Sequence, residues 1–269
     1  MRESVSQYLK TYDPFVLFGS SHIMAIIVAL LLVIFLPIYA RKKLSDRQQH
    51  LLGSAIGYFV MSSYLIWVIL ELIAGTFDVK LHLPIHLCRL ANLLLPLVMV
   101  RRSYFFYEIL YFWGLSGMFQ AIITPDIAAG FPHFQYWRFW FAHHGMILAL
   151  IYATVVYDMR PTIASVWKAM LAMNIFLIFA IIANLLLDAN YFWICGKPVN
   201  ELGEHVPSLL DYLGPWPWYI LGVEGVALLF FVLSLGIFWL LKRKIFRPSQ
   251  AVVESIRAPL ATALDLPRN

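Results

Sequence analysis

The chain reads Leu83-Pro84-Ile85-His86-Leu87-Cys88-Arg89-Leu90-Ala91-Asn92 at the start of an apolar segment that ends at Val100. A histidine, a thiol and a guanidinium group therefore enter a predicted membrane span within its first two turns. Ionisable side chains are costly inside a bilayer, and those that occur there usually face the interior of a helix bundle or a water-filled cavity. This decapeptide is therefore the first candidate for a functional site.

The composition is that of a polytopic membrane protein. Hydrophobic residues make up 61% of the chain and charged residues 13%, and the mean hydropathy is +0.76. Such values exclude a soluble domain with one buried core. The net charge of +5 comes from Lys and Arg residues that stand in short blocks between apolar runs. This pattern indicates membrane orientation, and no nucleic-acid partner is predicted.

Seven apolar runs have roughly the 20 residues that a helix needs to cross about 30 Å of hydrocarbon. They lie at about 21–40, 51–74, 83–100, 104–123, 137–157, 166–187 and 216–241. The third run is the shortest, and Pro96 is expected to kink it. We predict an all-α fold with one seven-helix transmembrane domain over residues 1–248 and a short cytoplasmic tail over 249–269.

The distribution of Lys and Arg predicts the orientation. The loops on one side carry fourteen of these residues and those on the other side carry five, with Arg89 inside a span. The richer side is expected to be cytoplasmic, which places the N-terminus outside and the C-terminus inside a cell membrane. Residues 1–14 contain Glu3, Lys10 and Asp13 and no small-residue cleavage site, so we expect no cleavable signal peptide.

The polar residues of the spans fall almost entirely in the predicted outer half of the bundle. They are His22, Glu71, His86, Cys88, Arg89, Gln120, His143, His144, Asn184 and Glu224. The clear exception is Glu108, near the inner end of the fourth run. This one-sided distribution predicts a polar cavity open toward the outer leaflet or outer water, and it favours a site over a conduit.

Cys88 is the best candidate nucleophile in this set. The first turns of a helix favour negative charge and lower the pKa of a thiol, and Arg89 would add to this effect. His143 or His144 would supply a general base, and Gly145 would let another helix approach closely. Other apolar runs carry candidates for the two remaining catalytic roles. Asn184 or Gln120 would donate a hydrogen bond to the oxyanion, and Glu71 or Glu224 would orient the histidine.

Other interpretations of the same residues stay open at this point. A lone cysteine in an apolar helix is usually an inert packing residue, and Cys88 would lose its role as nucleophile if it formed a disulfide bond with Cys195. Glu71 and Arg89 would serve as a buried pair that fixes helix packing. His82 and His86, four residues apart, would bind a metal together with His22 or His143, but no recognised zinc spacing is present and we predict no metal site.

At these residues the chain resembles the YwaF-like bacterial integral membrane proteins. The third helix of that seven-helix family carries Leu-Pro-hydrophobic-His-Leu-Cys, which here is Leu83 to Cys88. The further matches are His22, Gln120 with Pro125, His144-Gly145, Asn184, Asn190-Tyr191, Lys197-Pro198 and the turn from Leu213 to Tyr219. The resemblance covers roughly residues 15 to 245.

The YwaF-like family is similar, more distantly, to the eukaryotic transmembrane protein 164 group. That group is regarded as phospholipid acyltransferases that work through a cysteine acyl intermediate and a histidine. A more remote similarity is to the androgen-induced-gene membrane hydrolases, which pair a threonine with a histidine. Carried over by motif, the cysteine falls on Cys88 and the histidine on His144, because the family's histidine directly precedes a glycine.

The resemblance implies a lipid acyltransferase or acyl hydrolase at the outer leaflet of a bacterial cell membrane, with membrane lipids as substrate and no cofactor. The expected catalytic residues are Cys88, His144 and Asn184. The expected substrate contacts are His22, Glu71, His86, Arg89, Gln120, His143 and Glu224. The rival hypothesis is a transporter or receptor-like protein that binds a small polar ligand in the same cavity, and the oligomeric state is left open.

Overall fold

The computed structural model of the chain describes residues 2–123, 125–198 and 208–245. Within these ranges the regular elements are helical, as predicted, with one isolated β-bridge between Pro14 and Ala129. The helices are α1 (Arg2–Lys10), α2 (Ser20–Lys43), α3 (Asp46–Ala74), α4 (Leu87–Met99), α5 (Tyr104–Phe112), α6 (Phe119–Ile123), α7 (Phe134–Val156), α8 (Ile163–Leu187) and α9 (Tyr219–Ile245). The tail predicted over 249–269 lies outside the described residues.

Five of these helices are long and apolar enough to cross a membrane. They are α2, α3, α7, α8 and, over Tyr219–Leu241, α9. Their ends follow from the sequence: Ser45 and Gln48 form a capping box at the start of α3, and Gly75 ends that helix in the left-handed conformation. The chain is a multi-pass helical membrane protein. The count of seven spans and the orientation stay predictions.

The third and fourth predicted spans differ from plain transmembrane helices. Helix α4 has 13 residues, or about 20 Å, which is less than the thickness of the hydrocarbon core. It is short because His86 caps its start in an extended conformation. The run 104–123 is helical but divided, because a π-helical segment, Trp113–Met118, joins α5 to α6. Such segments are rare and are found frequently at functional sites.

Helix α3 packs against both α4 and α7. A Cβ atom on Gly57 would lie 2.8 Å from Cβ of Met99 in α4, and one on Gly145 of α7 would lie 2.5 Å from Cγ2 of Val60. The two glycines therefore permit the close approach of three helices. The π-helical segment packs on α4 and α7, and α9 lies against that segment and α8.

The two ends of the bundle are named here by residues of α4 and its following turn: the Cys88 end and the Arg101 end. Glu108, the predicted exception in the polar distribution, lies toward the Arg101 end. Its carboxylate accepts hydrogen bonds from Ser165 Oγ and Lys168 Nζ, both at 2.6 Å. A buried carboxylate with two such partners fixes α5 against α8, so Glu108 has a structural role.

The close contact at Gly145 predicts a specific packing defect. Replacing Gly145 with Ala places a methyl group against Val60, which we expect to lower the free energy of unfolding by about 1–3 kcal/mol. The measurement is the thermal unfolding midpoint of the detergent-purified protein. Val60→Ala removes the clashing methyl group and should restore most of the loss in the double variant.

Gly236 in α9 provides the control, because a Cβ atom there meets nothing within 4 Å. Gly236→Ala should leave the midpoint unchanged or raise it slightly. Equal effects of Gly145→Ala and Gly236→Ala would contradict the packing of α3 against α7 described above.

Candidate active site at the Cys88 end

The hydroxyl group of Tyr191 fixes the start of α4. It donates a hydrogen bond to the carbonyl oxygen of Val79 at 2.5 Å and accepts one from the backbone N–H of Leu83 at 3.0 Å. Tyr191 is fully buried in the loop that follows α8. The turn before α4 and the loop after α8 are therefore tied together, and Cys88 follows directly in the first turn of α4.

Asn184 holds Tyr191 in turn. Its side-chain Nδ2 donates to the carbonyl oxygen of Tyr191 at 2.9 Å, and its Oδ1 accepts from the backbone N–H of Tyr191 at 2.6 Å. Both polar atoms of this amide therefore bind backbone, and the expected catalytic role of Asn184 is replaced by a structural one. The sequence shows that α8 carries an amide side chain near its end, but it does not show that this amide is already hydrogen-bonded to Tyr191.

The remaining residues of the matched motifs hold the same loop. Asn190 bonds the backbone of Cys195 and Gly196, at 3.0 and 2.9 Å. Trp216 donates from Nε1 to the carbonyl oxygen of Ile194 at 3.0 Å, and the Tyr219 hydroxyl donates to that of Trp193 at 2.6 Å. These contacts explain why the Asn190-Tyr191 motif and the turn from Leu213 to Tyr219 occur in the same chain. They build a scaffold beside α4.

Cys88 is half-buried and free, and Cys195 is exposed and free. The disulfide bond that the sequence left open is therefore absent between these two described residues. The backbone N–H of Arg89 and the guanidinium groups of Arg89 and Arg138 are the polar groups that act on the thiol. Positive charge and a helix N-terminus both favour a thiolate, whereas burial of the thiol opposes it more strongly.

The two consecutive histidines of α7 have different surroundings. His143 donates from Nδ1 to the carbonyl oxygen of Phe139 at 2.8 Å and stacks on the Phe139 ring. His144 stacks on Trp140, with ring centroids 4.8 Å apart. Its Nε2 atom is buried and has no hydrogen-bond partner in the described part of the chain. Neither histidine hydrogen-bonds the Cys88 thiol in this substrate-free structure, where catalytic contacts are often long.

Asn92 is a residue that the sequence reasoning missed. It lies four residues after Cys88 on the same face of α4, and its Oδ1 is buried without a partner among the described residues. Six further atoms of the described residues are in the same state: Ser116 Oγ, Trp140 Nε1 and His144 Nε2, and those of His50, Ser54 and Ser208, which lie on other elements. Because α4, the π-helical segment and α7 pack against one another, Asn92, Ser116 and His144 lie on neighbouring elements.

Leaving a buried polar atom without a partner costs about 1–3 kcal/mol, and native structures contain few such atoms. Asn92 and His144 are therefore candidates for groups that bind a substrate. The sequence signal was available, because an asparagine four residues after the cysteine shares its helix face.

Three predicted substrate contacts lie elsewhere or are already occupied. Both ring nitrogens of His22 are bonded, one to the Phe18 N–H and one to the Ile122 carbonyl, each at 3.0 Å. Glu224 accepts from Asn174 at 3.1 Å between α9 and α8. Glu71 accepts from Trp67 Nε1 at 2.8 Å and from Thr76 Oγ1 at 2.5 Å. These side chains stabilise helix packing.

The expected pair between Glu71 and Arg89 is not formed within the described residues. Arg89 instead donates to the carbonyl oxygens of Leu81 and Leu83. His86 packs edge-on against the rings of Tyr191 and Trp193 at the cap of α4. Gln120 lies half-buried in α6.

The residues of the metal-binding alternative are dispersed. His82 accepts from the Asp78 N–H and lies 3.9 Å from Glu71, whereas His86 contacts aromatic rings. Burial lowers the pKa of His82, although Glu71 acts to raise it. Among the described residues no group of three His, Cys, Asp or Glu side chains is arranged to hold a metal ion.

The residues of the candidate site lie within a region that is similar to known proteins. The chain matches the TMEM164 family over residues 17–235, a range that contains every candidate residue of the site. The chain belongs to the TMEM164 family. The predicted likeness to the transmembrane protein 164 group is thereby confirmed. An uncharacterized protein of Treponema pallidum (strain Nichols) is 26% identical over 239 residues, which cover 88% of this chain and 92% of that protein. No solved structure matches the chain.

The link between Tyr191 and the start of α4 can be tested directly. Tyr191→Phe leaves the Leu83 N–H and the Val79 carbonyl without this partner, and the loss of these half-buried hydrogen bonds should cost about 0.5–1.5 kcal/mol of stability. Hydrogen–deuterium exchange should become faster in peptides covering residues 79–88. Tyr212→Phe is the control, because Tyr212 is 88% exposed. Unchanged exchange at residues 79–88 in Tyr191→Phe would show that this hydroxyl does not hold α4.

Proposed function

We propose that this TMEM164 family protein is a membrane-embedded lipid acyltransferase or acyl hydrolase that forms a thioester on Cys88. The observation that carries the proposal is that α4, which carries Cys88, and α7, which packs against it, both hold a buried polar atom without a partner among the described residues: Asn92 Oδ1 and His144 Nε2. A side-chain amide and an imidazole are the group types that acyl-transfer sites use as oxyanion donor and general base. Membership of the family supports the acyl chemistry, and membrane lipids are the proposed substrates.

The surroundings of Cys88 suit a nucleophile. Its thiol lies in the first turn of α4, where the backbone N–H groups point toward the side chain. Two guanidinium groups act on it, and among the described residues no carboxylate is close enough to pair with either one. Burial opposes ionisation of the thiol more strongly than these charges favour it, so a general base is needed to form the thiolate, which is the reactive form of cysteine.

His144 is the proposed general base. Its Nε2 atom is buried and unpartnered, so one nitrogen is available to accept a proton. His143 is the alternative, because its Nδ1–H is held by the Phe139 carbonyl and this bond keeps a lone pair on Nε2. His144 is preferred because it directly precedes Gly145, as the catalytic histidine does in the family motif.

The reaction would proceed in two steps. In the first, His144 takes the proton of Cys88, and the thiolate attacks the ester carbonyl carbon of a phospholipid. The tetrahedral intermediate collapses to a thioester, and the lyso-lipid leaves with the proton from His144. In the second step His144 removes a proton from an acceptor hydroxyl group or water, which attacks the thioester and releases the Cys88 thiol.

Asn92 is the proposed donor to the oxyanion, in place of Asn184. Its amide oxygen is buried without a partner in the described ranges, and the residue shares a helix face with Cys88. A rotation of the terminal amide by half a turn puts the NH2 group, which can donate, in place of that oxygen. Asn184 lacks this freedom, because both of its polar atoms bind Tyr191. A donor placed where negative charge develops is a large contributor to acyl transfer.

Turnover of defined lipids tests the proposal. The purified protein is incubated with dioleoyl phosphatidylglycerol and phosphatidylethanolamine together with a lyso-lipid acceptor, and products are measured by mass spectrometry. Cys88→Ala and His144→Ala should each abolish transfer and hydrolysis while the thermal unfolding midpoint is kept. Cys195→Ser is the matched control, because this free thiol is exposed, and it should retain full activity.

Full activity in Cys88→Ala would show the nucleophile to be wrong. If activity is lost in His143→Ala but kept in His144→Ala, the general base is His143. Lipid binding without any turnover in the wild type would favour the rival hypothesis of a binding protein or transporter.

The oxyanion role of Asn92 makes a separate prediction. Asn92→Ala should lower the rate of acyl transfer by about 100-fold or more, because one oxyanion donor is worth that factor in other acyl-transfer enzymes. The rate of alkylation of Cys88 by a maleimide should change little, since the thiol keeps its charged neighbours. Asn174→Ala, on the α8–α9 face, serves as the control. A normal transfer rate in Asn92→Ala would exclude the assignment.

A further inference from the structure

Two guanidinium groups from different helices converge on one tryptophan ring. The guanidinium carbon of Arg89 in α4 lies 4.6 Å from the ring centroid of Trp67 in α3. That of Arg138 in α7 lies 4.2 Å from the same ring. Both side chains are half-buried. Each group lies against the same indole, and the charge of Arg89 acts on Arg138.

Most N–H groups of this pair have no acceptor. Arg89 donates from Nη1 to the carbonyl oxygens of Leu81 and Leu83. Arg138 donates from Nε to Gln135 Oε1 at 2.7 Å. A guanidinium has five N–H donors. Within the described ranges no further hydrogen bond is formed by the Nη2 group of Arg89 or by either Nη group of Arg138, and both residues are only half-buried.

The pair also lacks a counterion among the described residues. Four other basic side chains there lie within 4 Å of a carboxylate, namely Arg41, Lys80, Lys168 and Lys197. Neither Arg89 nor Arg138 does so. Glu71 acts on Arg138, and Asp126 acts on both guanidinium groups, only from a longer distance.

Two like charges held together away from bulk water repel each other, and each has lost hydration. An anion that accepts hydrogen bonds from both groups would offset both costs. Guanidinium groups match phosphate oxygens in geometry, because a planar fork of N–H donors can bind two oxygens at once. The site also adjoins Cys88, since the thiol feels both groups.

We propose that Arg89 and Arg138, aligned by Trp67, form a binding site for a phosphate monoester or diester. The site places a bound phosphate beside the Cys88 thiol. The headgroup of the acyl donor is one source of that phosphate, and this identification rests on the proposed function. Free inorganic phosphate is the other source. The anion site itself depends on the two arginines and is independent of acyl transfer.

The test uses the full-length Cys88→Ser protein, which binds lipid without turning it over. Native mass spectrometry gives its apparent affinity for dioleoyl phosphatidylglycerol and for dioleoylglycerol, which has the same chains but no phosphate. The phosphatidylglycerol should bind more tightly. Arg138→Gln should weaken its binding by about tenfold, as expected for a lost charge-assisted hydrogen bond, and leave dioleoylglycerol unaffected.

Two further variants separate charge from structure. Arg138→Lys keeps the charge but loses the fork, so its affinity for phosphatidylglycerol should be intermediate. Arg101→Gln removes an exposed charge at the other end of the bundle and should bind as the parent does. Arg138 is the better position to test, because Arg89 also holds the turn before α4. Added inorganic phosphate distinguishes the sources: it displaces the lipid if the site takes free phosphate and does not if the headgroup is required.

Equal affinity for the two lipids in the parent, or equal weakening by Arg101→Gln and Arg138→Gln, would overturn the proposal. These results are separable from the fate of the proposed function, because the Cys88→Ser protein carries out no acyl chemistry. Unchanged lipid binding in Arg138→Gln, with normal turnover in the Cys88-containing protein, would remove the anion site alone.

Discussion

The pair of hydrogen bonds at the Tyr191 hydroxyl is the constraint on which the candidate site depends. It joins the turn before α4 to the loop after α8, two segments far apart in the chain. Asn184 holds the backbone of Tyr191, and the aromatic turn before α9 holds the following residues. Because these contacts end the extended segment at His86, α4 starts where its first turn carries Cys88.

The candidate site also differs from the rest of the apolar bundle in how completely its polar groups are hydrogen-bonded. Glu108, toward the Arg101 end, is buried with two close partners, as stability requires. At the Cys88 end, His144 and Asn92 keep buried atoms without partners, and Arg89 and Arg138 keep donors without acceptors among the described residues. A fold tolerates such costs where a ligand or substrate offsets them, and the atoms of Asn92 and His144 favour a site between α4 and α7.

The sequence predicts the helices of the fold more completely than it predicts the residues of the site. Apolar run length predicts the five long helices, because a helix must bury about 20 residues to cross a bilayer. The same rule overestimates the third span, since hydropathy does not show that residues before Leu87 are extended. Cys88 and Arg89 follow from their cost inside a span. The sequence does not predict that Arg138 lies beside Arg89, because that contact joins residues far apart in the chain. It also does not predict that the Asn184 amide is occupied, because its partner is the backbone of a loop.

The central claim is that acyl groups pass through a thioester on Cys88. Peptide mass spectrometry of the wild-type protein after incubation with dioleoyl phosphatidylglycerol tests it most directly. The account predicts an oleoyl mass on the Cys88 peptide that hydroxylamine removes and that is absent when His144 is replaced by Ala. An unmodified Cys88 peptide in a protein that still transfers acyl chains, or an acyl group on Cys195 instead, would contradict the account.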